Sequence, residues 1–478
     1  MIRRPLDPAE SRDPAALTRF LESVRQTAAA DRHVWLVSIS IAVDALDPLA
    51  VLESIFEPGE RHFYVERPDE GVALAGADAV VEFSASGAER FAACQQFIDD
   101  TLAHTVAVGE AEAPFGGPHF FAAFTFEPNF AGEAAAFPPA SLFVPRWQVG
   151  ARDGRTMAVA NLAIQADTNV AHLAERVWRA HAKFHSFDYA GVSVDENGNG
   201  AHRATAASDG EEARAYVGAV ESALSDIRAG RYEKIVLSRR REVRTDAPTG
   251  LHPLRVLNGL RQRFGDCFAF SVANGKGQSF IGASPERLLE VRSGKLRTEG
   301  LAGSARRGAR ASEDAAMAAG LARDEKELHE HRLVVDAISG ELQGLGLQPV
   351  FSAKPGLRRF ANVQHLHTAI GADLPPSVRL LDVAARLHPT PAVGGSPRSA
   401  ALPRIAELER GPRGLYAGAL GWIDARGDGE LLVGLRSALI DGATAVLYAG
   451  AGIVAGSDSQ RELVETELKF RAVLDALA

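Results

Sequence analysis

Soft metal ligands are almost absent from this chain. Its 478 residues hold two cysteines, Cys94 and Cys267, and they lack CxxC spacing. A disulfide framework or a zinc site is therefore not expected, and a reducing compartment suits the chain. Cys267 lies in an apolar run and reads as a core residue. Basic excess is lacking too, with a formal net charge of -9. Nothing here would hold a phosphate backbone, so no nucleic-acid partner is expected. Long apolar runs are missing. The most apolar early stretch, VWLVSISIAV at 34–43, falls well short of the roughly 20 residues a membrane helix needs. The opening MIRRPLDPAESRDP carries charge with no apolar segment behind it, so no secretory leader is expected and the cytoplasm is the expected location. No internal period recurs, which excludes solenoids and propellers. No GxGxxG opens a helix, and no Walker lysine follows Gly450-Ala451-Gly452.

What remains is ordinary globular material, 46% hydrophobic and 24% charged. The first half reads as strands at 34–43, 62–66, 71–75, 119–126, 141–148 and 156–164, with helices at 14–29, 46–55, 87–103 and 171–184. Residues 191–210, with DENGNG and ATAASDG, read as a linker. A helix capped by Ser208 or Asp209 follows, then a strand at 232–239, a helix at 254–264 and a hairpin around Asn274-Gly275-Lys276-Gly277. Residues 311–345 are helical with a break near Gly320. Residues 351–366 are extended, and 378–387 and 402–411 are helical. Strands at 415–423, 430–439 and 445–454 precede a final helix at 460–477.

The chemistry gathers around GASPERLLEVRSGKLRTEGLAGS at 282–304, a strand, a turn at Ser293-Gly294-Lys295 and a second strand. Its ends lie close in space, one offering the carboxylate of Glu286, the other a small residue, a glycine and a hydroxyl. A carboxylate beside free backbone N–H groups can act as an acid next to an anion cradle; it can also simply pair with an arginine. Lys234 and Val236 share one face of their strand, Ile235 and Leu237 the other. If the lysine's face is a pocket, desolvation makes it a usable base; if wet, it is a surface lysine. Glu330 sits on a helix, and Glu462 and Glu465, three apart, share a face of the last one. Carboxylates with no thiolate suit Mg²⁺, while HEH spacing cannot turn both histidines to one ion. The alternative for both clusters is a solvated helix face. Arg436 can hold a carboxylate through two parallel hydrogen bonds, or stand in a structural ion pair.

Nine segments taken in order resemble one family: YEKIVLSR, GASPERLL, TEGLAGS, HEHRLVVD, NVQHLHT, HPTPAVGG, LYAGALG, LLVGLRSA and AGAGIVAGSDSQRELVETELK. They are similar to the chorismate-utilising enzymes: the isochorismate, salicylate, anthranilate and aminodeoxychorismate synthases. The resemblance implies an α/β (α+β) fold, two central antiparallel β-sheets wrapped by helices in one large unit. Residues 1–205 would complete the sandwich, and 206–478 would carry the chorismate-binding catalytic region. It further implies Lys234 as base, Glu286 as acid, Mg²⁺ at Glu330 and Glu465 with Glu462 nearby, and substrate contacts from Gly303, Ser304, His367, Tyr416, Arg436, Gly450, Ala451 and Gly452. Lys234 in that position, with Ala302 where an aminodeoxychorismate synthase carries a nucleophilic lysine, resembles a water-adding enzyme. Isochorismate synthase of the menaquinone type is the implied activity, supported by DPLAVLESIF and the segment at 61–83. Salicylate synthase, anthranilate synthase component I and a non-catalytic binding protein are the alternatives, and a siderophore pathway stays open. No glutamine amidotransferase subunit is expected, and the chain would be a monomer or homodimer. Leu52-Glu53-Ser54 echoes the tryptophan-feedback motif of anthranilate synthases but reads as helix sequence.

Overall fold

The strand Ala140–Arg152 is where the β architecture divides. Val72–Ala85 pairs along one of its edges. The other edge is shared: residues 140–143 pair with His119–Phe124, and residues 147–152 pair with Arg155–Ile164. Pro145 lies between the two partners; it has no N–H to offer a ladder, which suits the change of neighbour.

Two long arms leave this strand. One runs through Val72–Ala85, His62–Arg67, Phe268–Ala273, Gln278–Ser284, Ser437–Asp441 and Thr444–Val454 to Lys234–Arg244. The other runs through His119–Phe124, Ala419–Asp424, Gly429–Val433, Arg287–Arg292 and Lys295–Arg306 to Val363–Asp373. Pairing is antiparallel throughout both arms. Parallel pairing occurs where Thr105–Gly109, a strand the sequence did not announce, meets Trp35–Val43 and Ile2–Arg4. The two sheets expected from the resemblance are thus the arms of one hydrogen-bonded network. Each arm draws strands from both halves of the chain.

The structure, a computed structural model, describes residues 1–4, 14–129, 132, 135–185, 205–206, 210–360 and 363–477. Apart from 205–206 and 210, the expected linker at 191–210 lies outside the described residues, as do Ser208 and Asp209. The core follows from the aromatic strands. HFFAAF at His119–Phe124 is buried on both faces, and Phe63 stacks on Phe121 at 4.6 Å. Each such ring contributes about 1.5–3 kcal/mol by leaving water. The break expected near Gly320 separates the helices Ala311–Leu321 and Glu325–Gly344. Asp324 caps the second, its carboxylate accepting from the Glu327 N–H. That helix packs on Lys295–Arg306, and the last helix, Ser459–Leu477, packs on Thr444–Val454. These two helices bring carboxylates to the ends of the two arms. Among the described residues no helix is long and apolar enough to cross a membrane.

One expected strand is not continuous. Residues 430–439 split into Gly429–Val433 and Ser437–Asp441, with Arg436 between them at φ +47°. Gly434 lies so close to the Leu415 carbonyl that a Cβ there would sit 2.5 Å from it. The close approach and the left-handed turn interrupt the ladder and aim Arg436 out of the sheet.

Candidate active site

Glu286 lies where the chain crosses from one arm to the other. Ser284 ends a strand of the first and Arg287 opens a strand of the second. The Ser284 hydroxyl donates to the Val433 carbonyl at 2.5 Å and accepts from the Glu286 N–H at 3.2 Å. The Val433 N–H donates to the Glu286 carbonyl at 3.1 Å. Backbone pinned on both sides carries the carboxyl into a cavity of about 450 Å³. Burial, and next the neighbouring charge of Glu299, push the Glu286 carboxyl up to about 8; the Lys234 charge opposes this.

Lys234 faces the same cavity from the first residue of its strand. It is 1% exposed, and its Nζ donates to Glu330 Oε1 at 2.8 Å. Val236 joins it on the cavity wall, while Ile235 and Leu237 point into the core, as strand alternation requires. Lys234 is therefore not an isolated lysine in an apolar pocket; it is buried with a carboxylate partner.

The hairpin's second strand supplies Ala302, Gly303 and Ser304 to the cavity. The register shifts between Ala302 and Ser304, and Gly303 takes φ +76°. A Cβ at Gly303 would stand 3.1 Å from the Glu327 carbonyl, so glycine allows the bulge and the helix approach together. The Ser304 N–H donates to Glu327 Oε2 at 2.8 Å, and its hydroxyl meets His365 Nδ1 at 2.9 Å.

Across the cavity stand Tyr416, Arg436, Gly450 and Gly452. Tyr416 stacks on Tyr448 at 5.3 Å. Arg436 Nη1 donates to Cys267 Sγ at 3.6 Å, and the guanidinium lies 5.4 Å over the Phe360 ring. Among the described residues it makes no salt bridge with a carboxylate, and it faces a cavity that can hold an anion.

Three of the residues expected at the site do not line the cavity. Ala451 alternates with Gly450 and Gly452 and turns to the opposite face. His367 bonds Glu299 at 2.9 Å, and Glu462 is buried beside the cavity. Others line it unannounced. Lys469 donates to the Gly450 carbonyl at 2.7 Å and pairs with Glu465 at 2.8 Å. The i,i+4 spacing within ETELK was its available signal. His365, two residues before His367, takes the cavity position. Arg413 ties two walls together, donating to the carbonyls of Val236 at 2.8 Å and Val393 at 2.7 Å.

Glu330 and Glu465 line the cavity from two helices. Each carboxylate faces a lysine: Glu330 and Lys234 at 2.8 Å, Glu465 and Lys469 at 2.8 Å, Glu462 and Lys326 at 3.7 Å. Among the described residues no three metal-ligating groups stand close enough to enclose an ion. The donors are nevertheless all oxygen, and they crowd one another: burial, then the Glu465 charge, push Glu462 up to about 7. That chemistry fits a hard divalent cation. Gly452 keeps the space open, since a Cβ there would lie 2.7 Å from Glu330 Oε1 and 3.3 Å from Lys234 Cε. Gly452→Ala should therefore displace both groups and lower turnover by about 10²-fold, the scale of a 1 Å misplacement, with Tm little changed. Wild-type turnover would contradict the close fit.

Comparison with known proteins gives a consistent picture. The description of a chorismate binding enzyme matches residues 21–478. The salicylate biosynthesis isochorismate synthase of Pseudomonas aeruginosa is 36% identical over 96% of this chain and 93% of its own. The isochorismate synthase MenF of Bacillus subtilis is 31% identical over 93% of this chain and 94% of its own. Among solved structures, the menaquinone-specific isochorismate synthase MenF of Escherichia coli superposes with a TM-score of 0.75 at 25% identity, covering 97% of this chain and all of that one.

Proposed function

We infer the function from one premise: this chain belongs to the chorismate binding enzymes. It is an isochorismate synthase, converting chorismate to isochorismate. The observation that carries this reading is that Lys234 and Glu286 face one cavity with Ala302 beside them. A methyl at that position leaves room for water and offers no competing amine. Likeness to isochorismate synthases over nearly the whole of both chains supports it.

In the reaction a water adds at C2 of the ring, the double bonds shift and the C4 hydroxyl leaves as water, so the change is an isomerisation. Lys234, as the neutral amine, takes the proton of the attacking water. It must first release its extra proton to solvent and leave its ion pair with Glu330. Glu286 starts protonated and gives its proton to the departing C4 hydroxyl, which a carboxyl raised to about 8 can do at neutral pH. Arg436, Lys469, Tyr416 and the backbone at Gly450–Gly452 receive the enolpyruvyl carboxylate. Gly303 and Ser304 contact the ring side of the substrate.

Mg²⁺ fits Glu330 and Glu465, with Glu462 behind them, and when bound it would neutralise the ring carboxylate. Activity is expected to vanish in EDTA and return with Mg²⁺. Glu330→Gln is expected to weaken Mg²⁺ binding by calorimetry as well as turnover; full activity in chelator would remove the metal assignment. Arg436→Ala is expected to weaken chorismate binding about 10- to 150-fold, the loss of a charged hydrogen bond, and unchanged affinity would place Arg436 outside the substrate site.

Ammonia is not consumed, so no amidotransferase subunit is needed. Use in menaquinone biosynthesis is part of the proposal, supported by likeness to the menaquinone-specific enzyme of E. coli. The test is to incubate the protein with chorismate and Mg²⁺ and separate the products. Isochorismate as the accumulating product is expected. Salicylate with pyruvate, anthranilate on adding ammonia, or unchanged chorismate would each overturn the reading.

A further inference from the structure

We propose that Glu299 is a positioning residue for Glu286: an anion anchored behind it by Arg358, His367 and the Arg287 N–H, holding the acid in place and keeping its proton on it. The proposal rests on the reading of Glu286 as the acid.

Glu299 lies in the TEGLAGS strand and is buried. Its two oxygens are used differently. Oε1 accepts from the Arg287 N–H at 3.0 Å, which is the peptide bond that follows Glu286. Oε2 accepts from Arg358 Nη1 at 2.7 Å and meets His367 Nε2 at 2.9 Å. The first contact completes the backbone clamp begun by Ser284 and Val433. The other two supply a cation and a ring N–H that stabilise a charged carboxylate.

Two buried carboxyl groups are neighbours here, and their surroundings treat them in opposite ways. Burial would raise Glu299, but the His367 hydrogen bond, the Arg358 charge and the Arg287 amide outweigh it and hold the group below the ordinary carboxylate range. Among the described residues Glu286 has no arginine partner. Burial and then Glu299 raise it; Lys234 from its strand, Lys469 from the last helix and the Thr390 hydroxyl pull the other way, and Tyr416 also faces it. When one of two neighbouring carboxyls is kept anionic by its donors, the other carries the proton. A purely structural Glu299 would tie its strand to Arg358 and leave the ionisation of Glu286 alone.

The test is the pH profile of kcat/KM of the Mg²⁺-loaded enzyme. In Glu299→Gln the charge is gone at nearly constant shape. Its basic limb should move to lower pH by about one unit, with KM for chorismate at low pH within about twofold of wild type. Glu299→Asp keeps the charge and should hold the limb within about half a unit. An unmoved limb in Glu299→Gln, whatever the fall in kcat, overturns the proposal. If Glu299→Gln does not fold, by circular dichroism, Glu299→Met carries the same test. If neither neutral variant folds, Glu299 is a structural residue and the proposal falls. Glu286→Gln separates the two levels. If it stays active, the acid assignment itself falls. If it is inactive and the Glu299→Gln limb stays put, only the present inference falls.

Discussion

Lys234→Ala lowers kcat for isochorismate formation by about 10²- to 10⁴-fold, the range that one positioned general base contributes. The attacking water must lose a proton as it bonds to C2, and no other lysine stands at the start of that strand. The structure adds a consequence for stability. Truncation leaves Glu330 without its 2.8 Å partner. Breaking a fully buried pair costs about 3–5 kcal/mol. Glu330 keeps 13% of its side-chain surface exposed, so water can reach it, and the loss should be smaller. Lys234→Gln supplies a side-chain amide that can still donate to Glu330, yet cannot accept a proton at neutral pH. It should recover Tm while leaving isochorismate formation as low as in Lys234→Ala. Near-normal turnover in either variant, with native circular dichroism, would refute the base assignment and with it the water-adding subtype.

Glu286→Gln lowers the same rate by a similar factor, because an amide cannot protonate the departing hydroxyl. Glu286 also sets the upper edge of the working pH range. The acid must hold its proton before the C4 oxygen leaves, and its carboxyl is pushed up to about 8 by burial and Glu299. Below that pH the acid is charged with its proton; above it the proton is gone. The wild-type kcat/KM profile should therefore fall on the alkaline side near pH 8. An ordinary carboxyl, near 4.3, would already be spent across the whole neutral range. A profile flat through pH 9 would show that no group raised to about 8 is needed for turnover.

Much of the fold was legible because its signals are local. The aromatic run His119–Phe124, the turn at Ser293-Gly294 and the break between Ala311–Leu321 and Glu325–Gly344 depend on neighbours in sequence. Lys234 and Val236 on one face followed from alternation alone. The misses have a common cause: contacts between residues far apart in the chain. Arg436 reads as mid-strand in LLVGLRSA, and the approach of Gly434 to Leu415 with the left-handed turn at Arg436 breaks that strand. Thr105–Gly109 is a strand because Trp35–Val43 lies beside it. His365 and His367 alternate identically, and which one meets the cavity depends on the register shift opposite them at Ala302. The pairing of Lys234 with Glu330 joins residues on different elements, so no spacing rule exposes it.

The central claim is that this chain adds water at C2 of chorismate. It is tested most directly by running the reaction with Mg²⁺ in ¹⁸O-labelled water and taking mass spectra of the first product formed. The account predicts isochorismate carrying one ¹⁸O, in the C2 hydroxyl, with no label in unreacted chorismate at early times. Unlabelled isochorismate, or a product formed without incorporation of solvent oxygen, would contradict it.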